Sequence, residues 1–385
     1  MQSAKFSLGT CFCLFLLLAC GGGGGGSNHA GPTTSAPPTS LEPTWSLSEA
    51  TPAQVDLSQT EVDAVLDHVF TDQAVQAALL VKDGYAVGQR FSSGVDATTL
   101  GTSWSVAKSF YAAAIGIAIS EGWISSLDQP ASDFLTEWAD TDKASITIRN
   151  ILEMRAGFAE NSSIFYEDDQ TQFAINFPKA NPEGVNFTYS NPNSQLLEPL
   201  LLRATGLDAH SYLKEKILTP IGIDINLVGL WRDRADANPL TYMGIDATPF
   251  DMARFGLLFA RGGEWDGQQI VPTEFVTTSL SAQSDFYGLQ WWILNSAFFA
   301  GQTPPITIAA ALGLNGQKIY VSQDQDIVLV VQTKYAHNAN QGYVLSDTNL
   351  PDTCTARNTC PTSTGDEVAA FDQLQLMTLL QALVE

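Results

Sequence analysis

The sequence predicts an α/β protein of the α+β kind. Its antiparallel sheet is built from both ends of the folded chain and flanked by helices, with a mostly helical subdomain inserted at about residues 101–280. Three observations carry this. Asp83-Gly84 separates the apolar runs Ala77 to Val81 and Tyr85 to Phe91, and Asp-Gly between such runs signals a tight hairpin. A second pair of β-rich runs, Gln317 to Val321 and Ile327 to Gln332, brackets Asp324-Gln325-Asp326 near the other end. Between the two pairs the apolar spacing is helical.

In chain order, residues 1–19 read as a lipoprotein signal peptide. Lys5 supplies a positive start, and the apolar run Cys11 to Ala19 is far shorter than the ~20 residues that span a bilayer. Leu17-Leu18-Ala19-Cys20 resembles a bacterial lipobox, which implies cleavage before Cys20 and lipidation of its thiol. Glycines 21 to 26 suit the tether that follows an anchor. By resemblance to the sorting signals of diderm bacteria, Gly21 rather than Asp after the lipidated residue suggests the outer membrane. Residues 20–52 are expected to be a disordered Gly, Ser, Thr and Pro linker, and residues 53–385 one domain.

Gln59 to Phe70 carries a helical stripe of Val62, Val65, Leu66 and Val69. Ser103 to Glu121 is apolar nearly all round, so it belongs in a core, with Gly122 as its stop. Ser145 to Met154 reads as a second helix with Thr147 near its cap. Thr248-Pro249 followed by Asp251 opens a third that Gly262 closes. Phe371 to Leu383 ends the chain with a helical pattern. Cys354 and Cys360 remain as an even pair once the signal and Cys20 are set aside, and a loop-closing disulfide is expected in an oxidising compartment.

Composition excludes some functions. The 18 Lys plus Arg stand against 41 Asp plus Glu, a net charge of −23, too few cations for a large nucleic-acid surface. His29, His68, His210 and His337 are scattered, so no metal site is expected. His68 and His210 fall on helical stripes as ordinary helix residues. Outside the run of glycines 21 to 26 there is no Gly-x-Gly-x-x-Gly, and no Gly-x-x-x-x-Gly-Lys, so no nucleotide or other cofactor is implied. No Gly-x-Ser-x-Gly elbow is present.

Three pieces carry chemistry. Ser105-Val106-Ala107-Lys108 opens the apolar helix, and residues three apart share a helix face, so the Lys amine can reach the Ser hydroxyl. A buried Lys has a lowered pKa and can take the Ser proton. Tyr189-Ser190-Asn191 offers a phenol for proton transfer and an amide to hold Lys108 or a substrate carbonyl. Ala311-Leu312-Gly313-Leu314 is a strand whose Gly permits close approach and whose backbone N–H can serve an oxyanion. Each piece alone is common in unrelated proteins. The pattern does not choose between Lys108 and Tyr189 as base, because both pKa values depend on burial.

Taken together, the pieces and their flanks resemble the serine β-lactamase and penicillin-binding superfamily. The likeness runs over about residues 55 to 335, through Ser103 to Ser109, Ile148 to Met154, Pro182 to Asn191 and Asp251 to Leu258. Within it the chain is most similar to class C β-lactamase-like (family VIII) esterases and 6-aminohexanoate-oligomer hydrolases. The resemblance implies Ser105 as acylated nucleophile, Lys108 and Tyr189 as shared base and acid, and Asn191 as orienting group. It places the oxyanion between the backbone N–H groups of Ser105 and Leu314.

The family's third motif begins with Lys or His, then Ser or Thr, then Gly. Ala311 and Leu312 replace the first two, which removes the groups that grip a substrate carboxylate. That favours an ester or linear amide over a β-lactam or a D-Ala-D-Ala peptide. The competing readings are a non-catalytic envelope lipoprotein that reuses the fold for binding, and a weak β-lactamase or D-Ala-D-Ala peptidase. Aromatic candidates for the substrate wall are Trp104, Phe165, Tyr166, Tyr287, Trp291 and Trp292, with the polar stretch Asn161 to Thr171 as a lip.

Overall fold

The computed structural model describes residues 40–235, 238–334, 344–345 and 371–385. The signal peptide, Cys20, Cys354 and Cys360, and with them the lipid and disulfide expectations, lie outside the described residues. The described residues belong to one compact unit, Thr39–Glu385.

The first hairpin joins β1 (Val75–Lys82) to β2 (Tyr85–Phe91). Its two turn residues Asp83 and Gly84 both have positive φ, the conformation that matches strand twist in a two-residue loop. Short strands follow at Gly101–Thr102 (β3), Gly229–Arg232 (β4), Ile245–Ala247 (β5), Glu264–Trp265 (β6), Gln268–Gln269 (β7) and Trp292–Ile293 (β8). The late strands are β9 (Ala309–Leu312), β10 (Lys318–Ser322), β11 (Ile327–Thr333) and β12 (Val344–Leu345). The main sheet has the order β2-β1-β11-β10-β9-β8, antiparallel throughout. β1 pairs directly with β11, with Leu79 opposite Val330, so the two ends of the chain meet in the middle of the sheet as expected.

Alternation along β11 divides the core. Leu329 and Val331 pack with α1 (Gln59–Val69) and the C-terminal helix Gln373–Ala382 on one face. Val328 and Val330 face α8 (Pro249–Ala260) and the helical subdomain on the other. Gly256 lets α8 approach closely, since a Cβ there would lie 2.5 Å from a Val328 methyl. Thr248 caps α8 and Pro249 opens it; Gly262 follows its end with positive φ.

The subdomain centres on α2 (Ala107–Ser120), whose residues Ala107 to Ala118 are all buried. Around it lie α3 (Ile148–Leu152), α4 (Gln170–Asn176), α5 (Asn191–Gln195), α6 (Leu197–Thr205), α7 (Ala209–Leu213) and α9 (Thr273–Ser279). Phe110 of α2 stacks on Phe255 of α8 at 3.6 Å between ring centroids, tying the subdomain to the sheet. His210 is buried and satisfied, its Nδ1 2.7 Å from the Tyr111 hydroxyl and its Nε2 2.8 Å from the Trp231 carbonyl.

Three boundaries differ from expectation. The ordered domain begins before residue 53: the amides of Thr44 and Leu47 donate to the carbonyls of Asp83 and Gly84, and Leu47 is buried. This segment is pinned by backbone hydrogen bonds, which its polar composition does not advertise. The helix expected from Ser145 is shorter, because Thr147 caps it from outside and Met154, with φ of 57°, turns the chain away. The helix expected from Ser103 begins as a 3₁₀ turn over Trp104–Val106, and the α-helix starts at Ala107.

Candidate active site

Ser105 sits in that 3₁₀ turn, one step ahead of α2. The turn is held by the small sheet in the order β12-β4-β5-β3. Thr102 Oγ1 donates to Asp246 Oδ1 at 2.6 Å, and Trp231 Nε1 donates to Asp246 Oδ2 at 2.9 Å. Ser103 exchanges two bonds with Ile245: its amide donates to the carbonyl at 2.7 Å, and its hydroxyl accepts from the amide at 2.9 Å. Trp104, next to Ser105, has φ of 47°, a left-handed conformation that side chains adopt only when the surroundings enforce it.

Lys108 is 1% exposed, in the first turn of α2. Its Nζ lies 2.7 Å from Ser105 Oγ, 2.9 Å from Asn191 Oδ1 and 2.8 Å from the Tyr242 carbonyl oxygen. Among the described residues no carboxylate pairs with it, and burial pushes its pKa well below the usual lysine range. All three partners are oxygens to which Nζ donates. The Asn191 and Tyr242 carbonyl oxygens can only accept, so a deprotonated amine that keeps its two N–H bonds to them turns its lone pair to the Ser105 hydroxyl.

Tyr189 is hydrogen-bonded with Ser105 from the other side. Burial pushes its phenol up to about 12, although the Ser105 bond pulls the other way. Its ring stacks on Trp292 at 5.4 Å, with Tyr287 packed edge-on behind it at 6.3 Å. Asn191 opens α5, with Pro192 in the first turn, where its missing N–H costs no helical bond.

β9 brings the third piece. A Cβ on Gly313 would lie 2.4 Å from the Ser103 carbonyl oxygen and 3.3 Å from Trp104 Cβ, so only glycine allows the strand to pass beside the nucleophile turn. Leu314 follows and lines the same cavity as Ser105. The amides of Ser105 and Leu314 pair with no carbonyl outside their own turns among the described residues. Ala311 is buried, and Leu312 presents an apolar side chain to the cavity where a hydroxyl would grip a carboxylate.

Trp104, Ser105, Tyr189, Asn191 and Leu314 thus line one cavity of about 470 Å³, with Lys108 hydrogen-bonded to Ser105, and with Gly313 packed against the Ser103 carbonyl just outside the lining. Phe165 and Trp292 line it as expected from sequence. Tyr166, Tyr287 and Trp291 do not: Tyr166 is 76% exposed, while Tyr287 and Trp291 are buried behind the wall. The lip is narrower than expected, with Glu160, Asn161, Ser162 and Phe165 at the cavity. Sequence reasoning missed Tyr242, Met243 and Phe298 on the wall. Tyr242 acts through its backbone carbonyl, a group that every residue carries, and its hydroxyl donates to buried Gln170 Oε1 at 2.6 Å to fix that position. Among the described residues, no group of three or more His, Cys, Asp or Glu could hold a metal, and no helix is long and apolar enough to cross a membrane.

Comparison with known proteins agrees with this geometry. The model of the Beta-lactamase family matches residues 66–345, and the chain belongs to that family. Membership implies serine-hydrolase-like activity on a small-molecule substrate. A protein described as a 6-aminohexanoate-dimer hydrolase from Bacillus anthracis superposes with a TM-score of 0.60 at 17% identity, covering 84% of this chain and 83% of that one. An octameric penicillin-binding protein homologue from Pyrococcus abyssi gives 0.56 at 19% identity, over 71% of this chain and 72% of that one. A beta-lactamase from Mycobacterium bovis gives 0.53 at 20% identity, over 70% and 90%. At these identities the structures share the fold. No curated protein matches the chain in sequence.

Proposed function

We propose that the protein is a serine hydrolase that cleaves an ester or linear amide through an acyl-enzyme on Ser105. The observation that carries this reading is the buried Lys108, whose Nζ lies 2.7 Å from Ser105 Oγ and is held there by the Asn191 and Tyr242 carbonyl oxygens. Lys108 Nζ takes the Ser105 proton as Oγ bonds to the acyl carbon. The negative charge that develops on the carbonyl oxygen is met by the N–H groups of Ser105 and Leu314. Collapse breaks the bond to the leaving alcohol or amine. That group takes a proton from the Tyr189 hydroxyl, which is restored from the Lys108 ammonium. Water then repeats the sequence at the acyl carbon and releases the acid and free Ser105.

The burial of both groups supports this division of labour: burial lowers the Lys108 pKa well below the usual lysine range and so favours it as base, while Tyr189, pushed up to about 12, holds its proton and can donate it. Ala311 and Leu312 support substrates without a carboxylate at that position, and so weigh against β-lactams and D-Ala-D-Ala peptides. A panel of matched ester, linear amide and β-lactam substrates tests the reading. Turnover of the ester or amide, lost in Ser105→Ala, is expected; Ser105-independent turnover, or none, overturns it. The binding-only alternative fails on any Lys108-dependent turnover.

We also propose that lipid on Cys20 holds the mature chain at the cell envelope, on the strength of the lipobox-like Leu17 to Cys20 and the glycine tether. Fatty-acid labelling in cells that is abolished by Cys20→Ala is the expected result. Labelling that survives the substitution contradicts the anchor.

A further inference from the structure

The charge on the wall of the catalytic cavity is one-sided. Among the described residues that line it, Glu160 is the single carboxylate, and none is Lys, Arg or His. Glu160 is exposed, so its carboxylate is free to meet solvent or a ligand at the mouth. The turn that carries it is fixed, because Asn161 Oδ1 accepts from the Ile164 amide at 3.1 Å and from the Ser163 hydroxyl at 3.2 Å. Trp104, Phe165, Tyr189, Trp292 and Phe298 line the same space. An anion together with aromatic side chains is the chemistry that holds an organic cation. The position that would neutralise a substrate anion is apolar Leu312, and the chain as a whole carries a net charge of −23, which adds attraction for cations.

We propose that this site selects acyl substrates bearing an organic cation, an ammonium or quaternary ammonium group, with Glu160 as its charge partner and the aromatic wall as its bed. The inference names the substrate class of the proposed hydrolase and rests on that reading of the cavity. Glu160 is a specificity residue in this account. A carboxylate-bearing substrate meets like charge at the mouth and no counter-charge on the wall, so it is the disfavoured member of any matched set.

Two measurements test this separately from the chemistry. The first compares aryl esters of equal length whose acyl chains end in a methyl, a trimethylammonium or a carboxylate group. The cationic ester is expected to exceed the neutral one in kcat/KM by about five- to tenfold, as a partly exposed ion pair plus cation–π contact allows, with the anionic ester lowest. Glu160→Gln is expected to cut the cationic-to-neutral ratio several-fold. A ratio near one in the wild type, or one unchanged in Glu160→Gln, overturns the proposal. The second measurement needs no turnover. Benzyltrimethylammonium and benzyl alcohol are titrated into Ser105→Ala, read by tryptophan fluorescence or calorimetry. Tighter binding of the cation, lost on adding Glu160→Gln, supports the cation site even if no ester is cleaved. Equal binding of the two probes, or none, overturns it. Failure of hydrolysis with retained cation binding therefore counts against the acyl-enzyme reading alone.

Discussion

Lys108 Nζ stands 2.7 Å from Ser105 Oγ, inside a helix end that offers the amine no negative charge. The chain places one of its few basic side chains where water cannot reach it, and that burial favours the neutral form. In the proposed function, this pairing makes a serine hydroxyl reactive without histidine.

The first prediction concerns pH. Lys108 is active when deprotonated and Tyr189 when protonated, so kcat/KM should rise with pH as Lys108 loses its proton, well below the usual lysine range. Tyr189 ionises only at about 12, so the profile should level off and stay flat through ordinary alkaline pH. A pH–rate profile on a small ester checks this. Lys108→Met should lower kcat/KM by roughly 10²–10⁴-fold at neutral pH, the usual worth of a positioned base.

Gly313→Ala tests the close pass of β9. Its new methyl would press on the Ser103 carbonyl oxygen and move the nucleophile turn. Displacement of about 1 Å can cost on the order of 10²-fold in rate. The expected result is a loss of that size in kcat/KM, with far-UV circular dichroism unchanged.

Much of this was legible in the chain, for physical reasons. Ser105 and Lys108 are three residues apart on one helix face, and their apolar neighbours announce burial. The β1–β2 turn needs Asp-Gly chemistry, so it shows in sequence. Tyr242 did not show, because its role falls to a main-chain oxygen. The order of residues 41 to 50 did not show either: the amides of Leu41, Leu47 and Ala50 hold it to the domain, and Ser, Thr and Pro conceal that. Glu160 sits in a polar stretch where only the fold decides which side chain meets the cavity.

Glu198 supplies a pH-dependent stability prediction. Burial is the main cause that raises its carboxyl to about 7, and Asp233 and Asp208 add to it, against the Thr171 hydrogen bond and Arg203. The folded state therefore binds a proton that the unfolded state releases near the ordinary glutamate value of 4.5. Stability contributed this way is present below about 4.5 and lost as pH rises through about 7. Glu198→Gln keeps an acceptor for Thr171 and carries no charge. It should raise Tm at pH 8 and change it little at pH 5, with a difference of roughly 2–3 kcal/mol between the two.

Phe255 joins α8, which packs on the sheet, to α2 through its stack on Phe110 at 3.6 Å. Phe255→Ala should cost about 3–5 kcal/mol, read by urea denaturation, because the cavity left between helix and sheet cannot collapse.

The most direct test of the central claim is covalent labelling. The purified protein is treated with a fluorophosphonate, and the modified peptide is identified by mass spectrometry. The account predicts one adduct, on Ser105, absent in Ser105→Ala and formed at least ~10²-fold more slowly in Lys108→Met. No adduct on Ser105, or labelling as fast without Lys108, would contradict it.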